Sequence, residues 1–313
     1  MRPSATNARI EPAISEVNQQ VRYNHRYGDQ DIRDASKLRQ NTHKRPIEVV
    51  EGPFQDPAVL AAAFRDATGI YLSLGNFPGQ EDMELGIVHA AKLAGVRKIV
   101  KLSGPSAGPS SPVAIARMHG RIEAAIKACG FDHVFLRPYA FFQNLANQVA
   151  PLAHFHGLFG STGSAALNMF DARDVGAVAA RTMLTSYWDG KVIELTGDEA
   201  VTYTEIAERL SAISGETYLF FKRSPEVYLA ELLRQGLPEW TAEHVIEIQA
   251  MTRSRSEAPN SNTRDILGRP ARTLTDYLPE LLSAVARVRD IAETQTNTRQ
   301  TGFAANLTLG RPN

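Results

Sequence analysis

The sequence predicts an α/β fold: a doubly wound parallel sheet with a smaller C-terminal α/β lobe. Three observations predict it. Short apolar, β-branched runs alternate with runs of helical period between residues 47 and 138, and strands joined through helices by short links form a parallel sheet covered on both faces. The 313 residues are enough for one large domain, or for a domain plus a lobe. Hydrophobic residues make up 43% of the chain, which supports a sizeable core.

Residues 1–45 are polar and rich in Asn, Gln, Arg and His, with no convincing strand. IEVVEG (47–52) reads as a buried strand. DPAVLAAAFRDA (56–67) follows as a helix, with Asp56 at the N-cap and Pro57 at the first helical position,. GIYLSLG (69–75) is a strand, and EDMELGIVHAAKLAG (81–95) is a helix with an apolar stripe of Met83, Ile87, Ala91 and Ala94 that closes at Gly95,. KIVKLSG (98–104), SPVAIARMHGRIEAAIKACG (111–130) and HVFLRP (133–138) continue the alternation as strand, helix and strand,. KVIELTG (191–197) reads as a further strand of the main sheet. TYTEIAERLSAIS (202–214) and SPEVYLAELLRQG (224–236) read as helices of the second lobe, taken as 151–290, and 291–313 reads as a loose tail,. In FDARDVGAV, Asp174 reads as the cap of the following helix.

Composition narrows the function. Lys+Arg and Asp+Glu are both 34, so the formal net charge is zero. That argues against nucleic-acid binding by bulk charge and against a basic membrane-surface protein. The basic cluster RQNTHKR (39–45) therefore reads as a solvated loop,. Cys129 is the only cysteine, which excludes an internal disulfide and a cysteine-rich zinc site. HFH (154–156) lacks a third ligand at telling spacing, so no metal is expected,. No apolar run reaches the length of a membrane span,, and the expectation is a soluble cytoplasmic protein.

VVEGPFQDPAVLAAAF, KLSGPSAG, HGRIEAAIKACGFDHVFLRPYAFFQNL, FDARDVGAVAARTML, ELTGDEAVTYTEIAERLS and LGRPARTLTDYL, in that order and spacing, resemble the NmrA-like branch of the atypical short-chain dehydrogenases/reductases. The branch includes NAD(P)H:quinone reductase-like and isoflavone-reductase-like enzymes. The resemblance implies a Rossmann-like dinucleotide-binding domain over residues 1–150. It also implies an NAD(P)H-dependent oxidoreductase acting on a small quinone-like or conjugated carbonyl substrate. Two alternatives stay open. One is a catalytically silent regulator that senses a nucleotide or ligand and contacts a protein partner. The other is a cofactor-free variant that has lost its phosphate turn.

The family opens with a turn of the type T-G-A-T-G-x-x-G, whose glycines bring backbone N–H groups to a pyrophosphate. The matching stretch here is SATNARIEPA (4–13): Thr6 keeps its place, but Asn7, Ile10 and Ala13 replace the glycines. Thr6 and Asn7 remain the expected phosphate contacts. IRDASKL (32–38) resembles the 2′-phosphate site, so Arg33 and Lys37 favour NADP(H) over NAD(H),. By the same resemblance, Leu74, Gly75, Asn76 and Leu102 lie along the cofactor. His119 stands where isoflavone-reductase-like members carry a lysine, and an ordinary imidazole titrates near neutrality. It is expected as general acid or base, with Ser103 as a donor to a substrate carbonyl. Tyr139, Phe141 and Phe142 are expected to face a flat substrate, although core packing is the commoner role of phenylalanine.

Overall fold

The structure, a computed structural model, describes residues 50, 52–254 and 257–308, with side chains as far as residue 291. Its centre is a parallel sheet of four strands, β1 (Gly69–Leu72), β2 (Lys98–Leu102), β3 (Asp132–Pro138) and β7 (Lys191–Leu195), in the order β1-β2-β3-β7. Gly69 pairs with Lys98, Val100 with Val134, and Leu136 with Ile193. Successive side chains of a strand point to opposite faces. Ile99 accordingly packs on one face with Leu60, Ile87, Ile122 and Phe135, while Val100 packs on the other with Val134, Val178 and Ile193. Both faces are apolar, as an α/β sheet requires.

Helices α1 (Pro57–Ala63), α2 (Gln80–Leu93) and α3 (Ala114–Ala128) cover the first face. The Asp56 carboxylate caps α1 by accepting from the Ala58 N–H at 2.8 Å. The strand expected at 47–52 lies largely outside the described residues; Val50 is exposed and Gly52 forms a bend.

The second lobe begins after β3. It contains β4 (Ala140–Phe141), α4 (Val149–Phe155), β5 (Gly157–Gly160) and β6 (Leu167–Phe170). Helix α5 (Ala172–Met183) returns to cover the second face of the main sheet. Then come β8 (Ala200–Val201), α6 (Tyr203–Ser214), β9 (Leu219–Lys222), α7 (Pro225–Arg234), α8 (Glu239–Ser254), α9 (Asn262–Leu267) and α10 (Leu274–Thr308). A second core joins Leu145, Leu152, Leu158, Ile206, Leu210 and Leu281. Strands β5 and β9 form a separate parallel pair, Gly160 opposite Lys222.

Two expectations are corrected. Asp171, not Asp174, caps α5, because β6 ends at Phe170 and Asp171 is the first residue beyond it. Its carboxylate accepts from the Arg173 N–H at 2.8 Å. Asp174 lies within the first turn, buried, and receives Arg269, Arg272 and the Arg272 N–H. The C-terminal stretch continues the helix to Thr308 instead of running as a loose tail. Between Glu280 and Thr308 the chain has no proline and a single glycine, Gly302, so nothing in it breaks helical hydrogen bonding.

Candidate active site

In parallel sheets ligands sit outside the carboxyl ends of the strands. At those ends the structure brings together Leu74, Gly75 and Asn76 beyond β1, Leu102, Ser103 and Gly104 at β2, and Arg137 and Tyr139 at β3. Helix α3 lies against them. An added Cβ on Gly104 would come 3.3 Å from His119 Cδ2, so the imidazole rests directly on the backbone that follows β2. His119 is 6% exposed, and its Nδ1 has no hydrogen-bond partner. A buried polar atom left unpaired is costly.

The electrostatics of His119 set its protonation state. Burial pushes its pKa well below the ordinary histidine value, and the nearby charges of Lys101, His244 and Arg137 push in the same direction. The ring is therefore neutral at pH 7. It can donate through one N–H, but it is not a charged acid.

Below the site two carboxylates hold the strand ends. Glu84 on α2 receives Lys101 from β2 and the Gln80 amide at 2.7 Å, all three buried. A buried charge held this way is tolerated only with its partner. Glu123 on α3 receives the Ser103 hydroxyl at 2.6 Å and both Nε and Nη2 of Arg137 at 3.0 and 2.6 Å. This arrangement commits the single proton of Ser103 to Glu123, so Ser103 fixes the end of β2 and has no proton left for a substrate carbonyl.

A second histidine enters from the other lobe. His244 on α8 lies with Nε2 3.2 Å from the Asn76 amide nitrogen. Glu247, one turn on, accepts from the Ala114 N–H at the start of α3 at 3.3 Å. Burial holds the His244 pKa below the ordinary value. Helix α8 thus closes over the strand ends, which the sequence reading missed: its pairing with Asn76 spans 168 positions, and no local pattern encodes it.

The remaining expected residues divide. Tyr139 is partly exposed beyond β3, its backbone N–H bonded to Leu195 O at 3.1 Å. Phe142 is corrected: it is 2% exposed, belongs to the second core and stacks on Tyr277 at 5.7 Å. Phe141 packs on Phe170 at 5.6 Å beneath the second face of the sheet. Thr6, Asn7, Arg33 and Lys37 lie outside the described residues. Among the described residues no three His, Cys, Asp or Glu side chains gather as a metal site, and no helix is long and apolar enough to cross a membrane.

Comparison with known proteins identifies the family and the fold. An NAD(P)H azoreductase from Xenophilus azovorans is 28% identical over 247 residues, covering 79% of this chain and 86% of its own. Quinone oxidoreductase 2 of Escherichia coli (strain K12) is 28% identical over 240 residues, covering 76% and 83%. Among solved structures, an NADPH-dependent quinone oxidoreductase from Escherichia coli, complexed with NADPH, superposes with a TM-score of 0.71 at 21% identity, covering 89% of this chain and 98% of the other. That superposition shows the Rossmann-type fold. The model of the NmrA-like family matches residues 16–274, and the chain belongs to the NmrA-like family.

Proposed function

We propose that the protein is an NAD(P)H-dependent oxidoreductase that reduces a small quinone-like or conjugated carbonyl compound. The observation that carries this reading is His119: buried and neutral, with Nδ1 unpartnered and its Cδ2–Nε2 edge against Gly104 at the carboxyl end of β2. A nicotinamide cofactor fits the described strand ends, because Gly75 carries no side chain at the carboxyl end of β1 and Asn76 beside it offers a polar amide. The azoreductase and quinone reductase relatives support the same reaction class. Arg33 and Lys37 are the residues we assign to a 2′-phosphate, which makes NADPH the preferred donor.

When bound, the cofactor supplies a hydride. The chain's own groups then do three things. The neutral His119 imidazole donates one N–H to the substrate oxygen that gains charge, as a hydrogen-bond donor prepositioned in a dry site. The Glu123 clamp on Ser103 and Arg137 fixes β2 and β3 around that position. Helix α8, through His244 and Glu247, shields the strand ends from water. Hydride transfer leaves the hydroquinone monoanion one proton short, and that proton comes from solvent, since His119 is neutral and the Ser103 hydroxyl is held by Glu123.

Calorimetric titration with NADPH and NADH, followed by quinone-dependent oxidation of the bound nucleotide, tests the proposal. Saturable NADPH binding tighter than NADH, turnover, and a loss of about 10²-fold in kcat for His119→Phe are expected. Absence of nucleotide binding overturns it. Binding without turnover on any quinone or enone redirects it to a sensing role.

A further inference from the structure

The second lobe carries another strand-end cleft, of about 710 Å³, beside Arg253 near the end of α8. Strands β5 and β9 are parallel, with Gly160 opposite Lys222, so both chains leave the pair at the same end. One feeds the turn Ser161–Ala165, and the other feeds Lys222–Arg223 and then the start of α7 at Pro225. Arg253, near the end of α8, closes the third side, its Nη1 on Ser161 O and Oγ. The topology repeats, in miniature, the geometry in which α/β sheets bind ligands.

Three cations converge here. Lys222 makes no hydrogen bond or ion pair among the described residues. Its ammonium lies 3.7 Å from where a Cβ on Gly163 would be, a position open because that residue is glycine with φ +66°. Arg223 spends only Nε on Glu231, at 2.9 Å, and its guanidinium lies 4.8 Å from the Phe159 ring centroid. The opposing charge is Glu226. Its carboxylate is held by its own N–H and the Ser224 hydroxyl, and Arg253 helps keep it ionised. The N-terminus of α7 is therefore already occupied, and a ligand must be held by the side chains.

A second observation points to a ligand. Thr162 lines the cleft, is 1% exposed, and its hydroxyl has no hydrogen-bond partner. Buried hydroxyls are nearly always paired. A free ammonium, uncommitted guanidinium nitrogens and an unpaired hydroxyl around one cleft match a tetrahedral oxyanion, whose oxygens accept several hydrogen bonds at once. We infer that this cleft binds the phosphate group of a small molecule, at Lys222, Arg223, Arg253 and Thr162, separately from the nucleotide cleft. His244 and Arg253 lie about 13.5 Å apart along α8, so the two sites are distinct.

The test is calorimetry on the full chain with inorganic phosphate and with phenyl phosphate, each with and without saturating NADPH. Saturable binding that survives NADPH is expected, and the tighter of the two ligands identifies free phosphate or a phosphomonoester as the occupant. Lys222→Gln, a change on an exposed side chain, should weaken binding at least tenfold and leave the NADPH titration unchanged. Thr162→Val should unfold at the same temperature or higher without phosphate and lose the phosphate-induced rise in Tm. No saturable binding, competition by NADPH, or unchanged affinity in Lys222→Gln overturns the inference. So does a Thr162→Val protein that is destabilised yet keeps the full phosphate response.

Discussion

His119 on α3 and His244 on α8 belong to helices of different lobes, and both are held neutral, chiefly by burial. Lys101 from β2 and Arg137 from β3 add positive charge around His119, so protonating it would place a further cation among cations. The folded pKa of each histidine lies below its unfolded value. Between those values the unfolded chain binds a proton that the folded chain refuses, so stability is complete above about pH 6.5 and falls as pH drops below it. Each such histidine contributes a slope of up to about 1.4 kcal/mol per pH unit in that window. Differential scanning calorimetry from pH 8 to pH 5 should show a falling Tm on the acid side, with a shallower fall in His119→Gln. A Tm that stays level across the range, or an equal fall in the variant, would contradict this. The position of His119 on a helix was readable from the sequence, but its protonation state was not. An isolated imidazole titrates near neutrality, and only the packing of α3 on Gly104 removes it from water. Asp171 and Asp174 make the same point: both can cap a helix, and the end of β6 decides between them.

At the scale of elements, α3 meets the loop after β2 with no side chain between them. An added Cβ on Gly120 would stand 2.6 Å from both Cα and N of Gly108, and backbone cannot yield as a flexible side chain can. The Gly108 N–H also bonds Ala116 O at 3.2 Å, tying loop to helix. Gly120→Ala should therefore cost about 1–3 kcal/mol by forcing the two apart. Because His119 is the adjacent residue, kcat should fall with it. Thermal unfolding and steady-state kinetics together check this, and unchanged values of both would refute it. The elements of the main sheet were legible because their signals are local: Asp56 before Pro57, and the apolar runs of β1 to β3. Strands β5, β6 and β9 were not read: in β5 only Leu158 and Phe159 are apolar, between two glycines; in β6 Asn168 interrupts the apolar run; and β9 has only three apolar residues before Lys222. Helix α8 was missed because its importance lies in what it crosses and not in its own pattern.

In the whole molecule, the main sheet and the second lobe have separate cores; β6 joins them, with Met169 in one and Phe170 in the other, and α8 reaches from the lobe to the strand ends of the sheet. Its attachments are unequal. On the sheet side it has two long hydrogen bonds, His244 to Asn76 and Glu247 to Ala114 N, at 3.2 and 3.3 Å. On the lobe side Gln249 accepts from Ser161 N and Oγ at 2.6 and 2.8 Å, Arg253 adds its own bonds to Ser161, and Ala242, Val245 and Ile246 pack with Tyr228 and Leu232. Mechanically, α8 is a cantilever: anchored in the lobe and only resting on the sheet. A load that separates the two bodies would part it first at Asn76, baring the nucleotide cleft while leaving the phosphate cleft assembled. In hydrogen–deuterium exchange, the amides of α8 should gain and lose protection together with those of β5 and β9. Exchange of α8 in step with β1 and β2 would place the anchor at the other end.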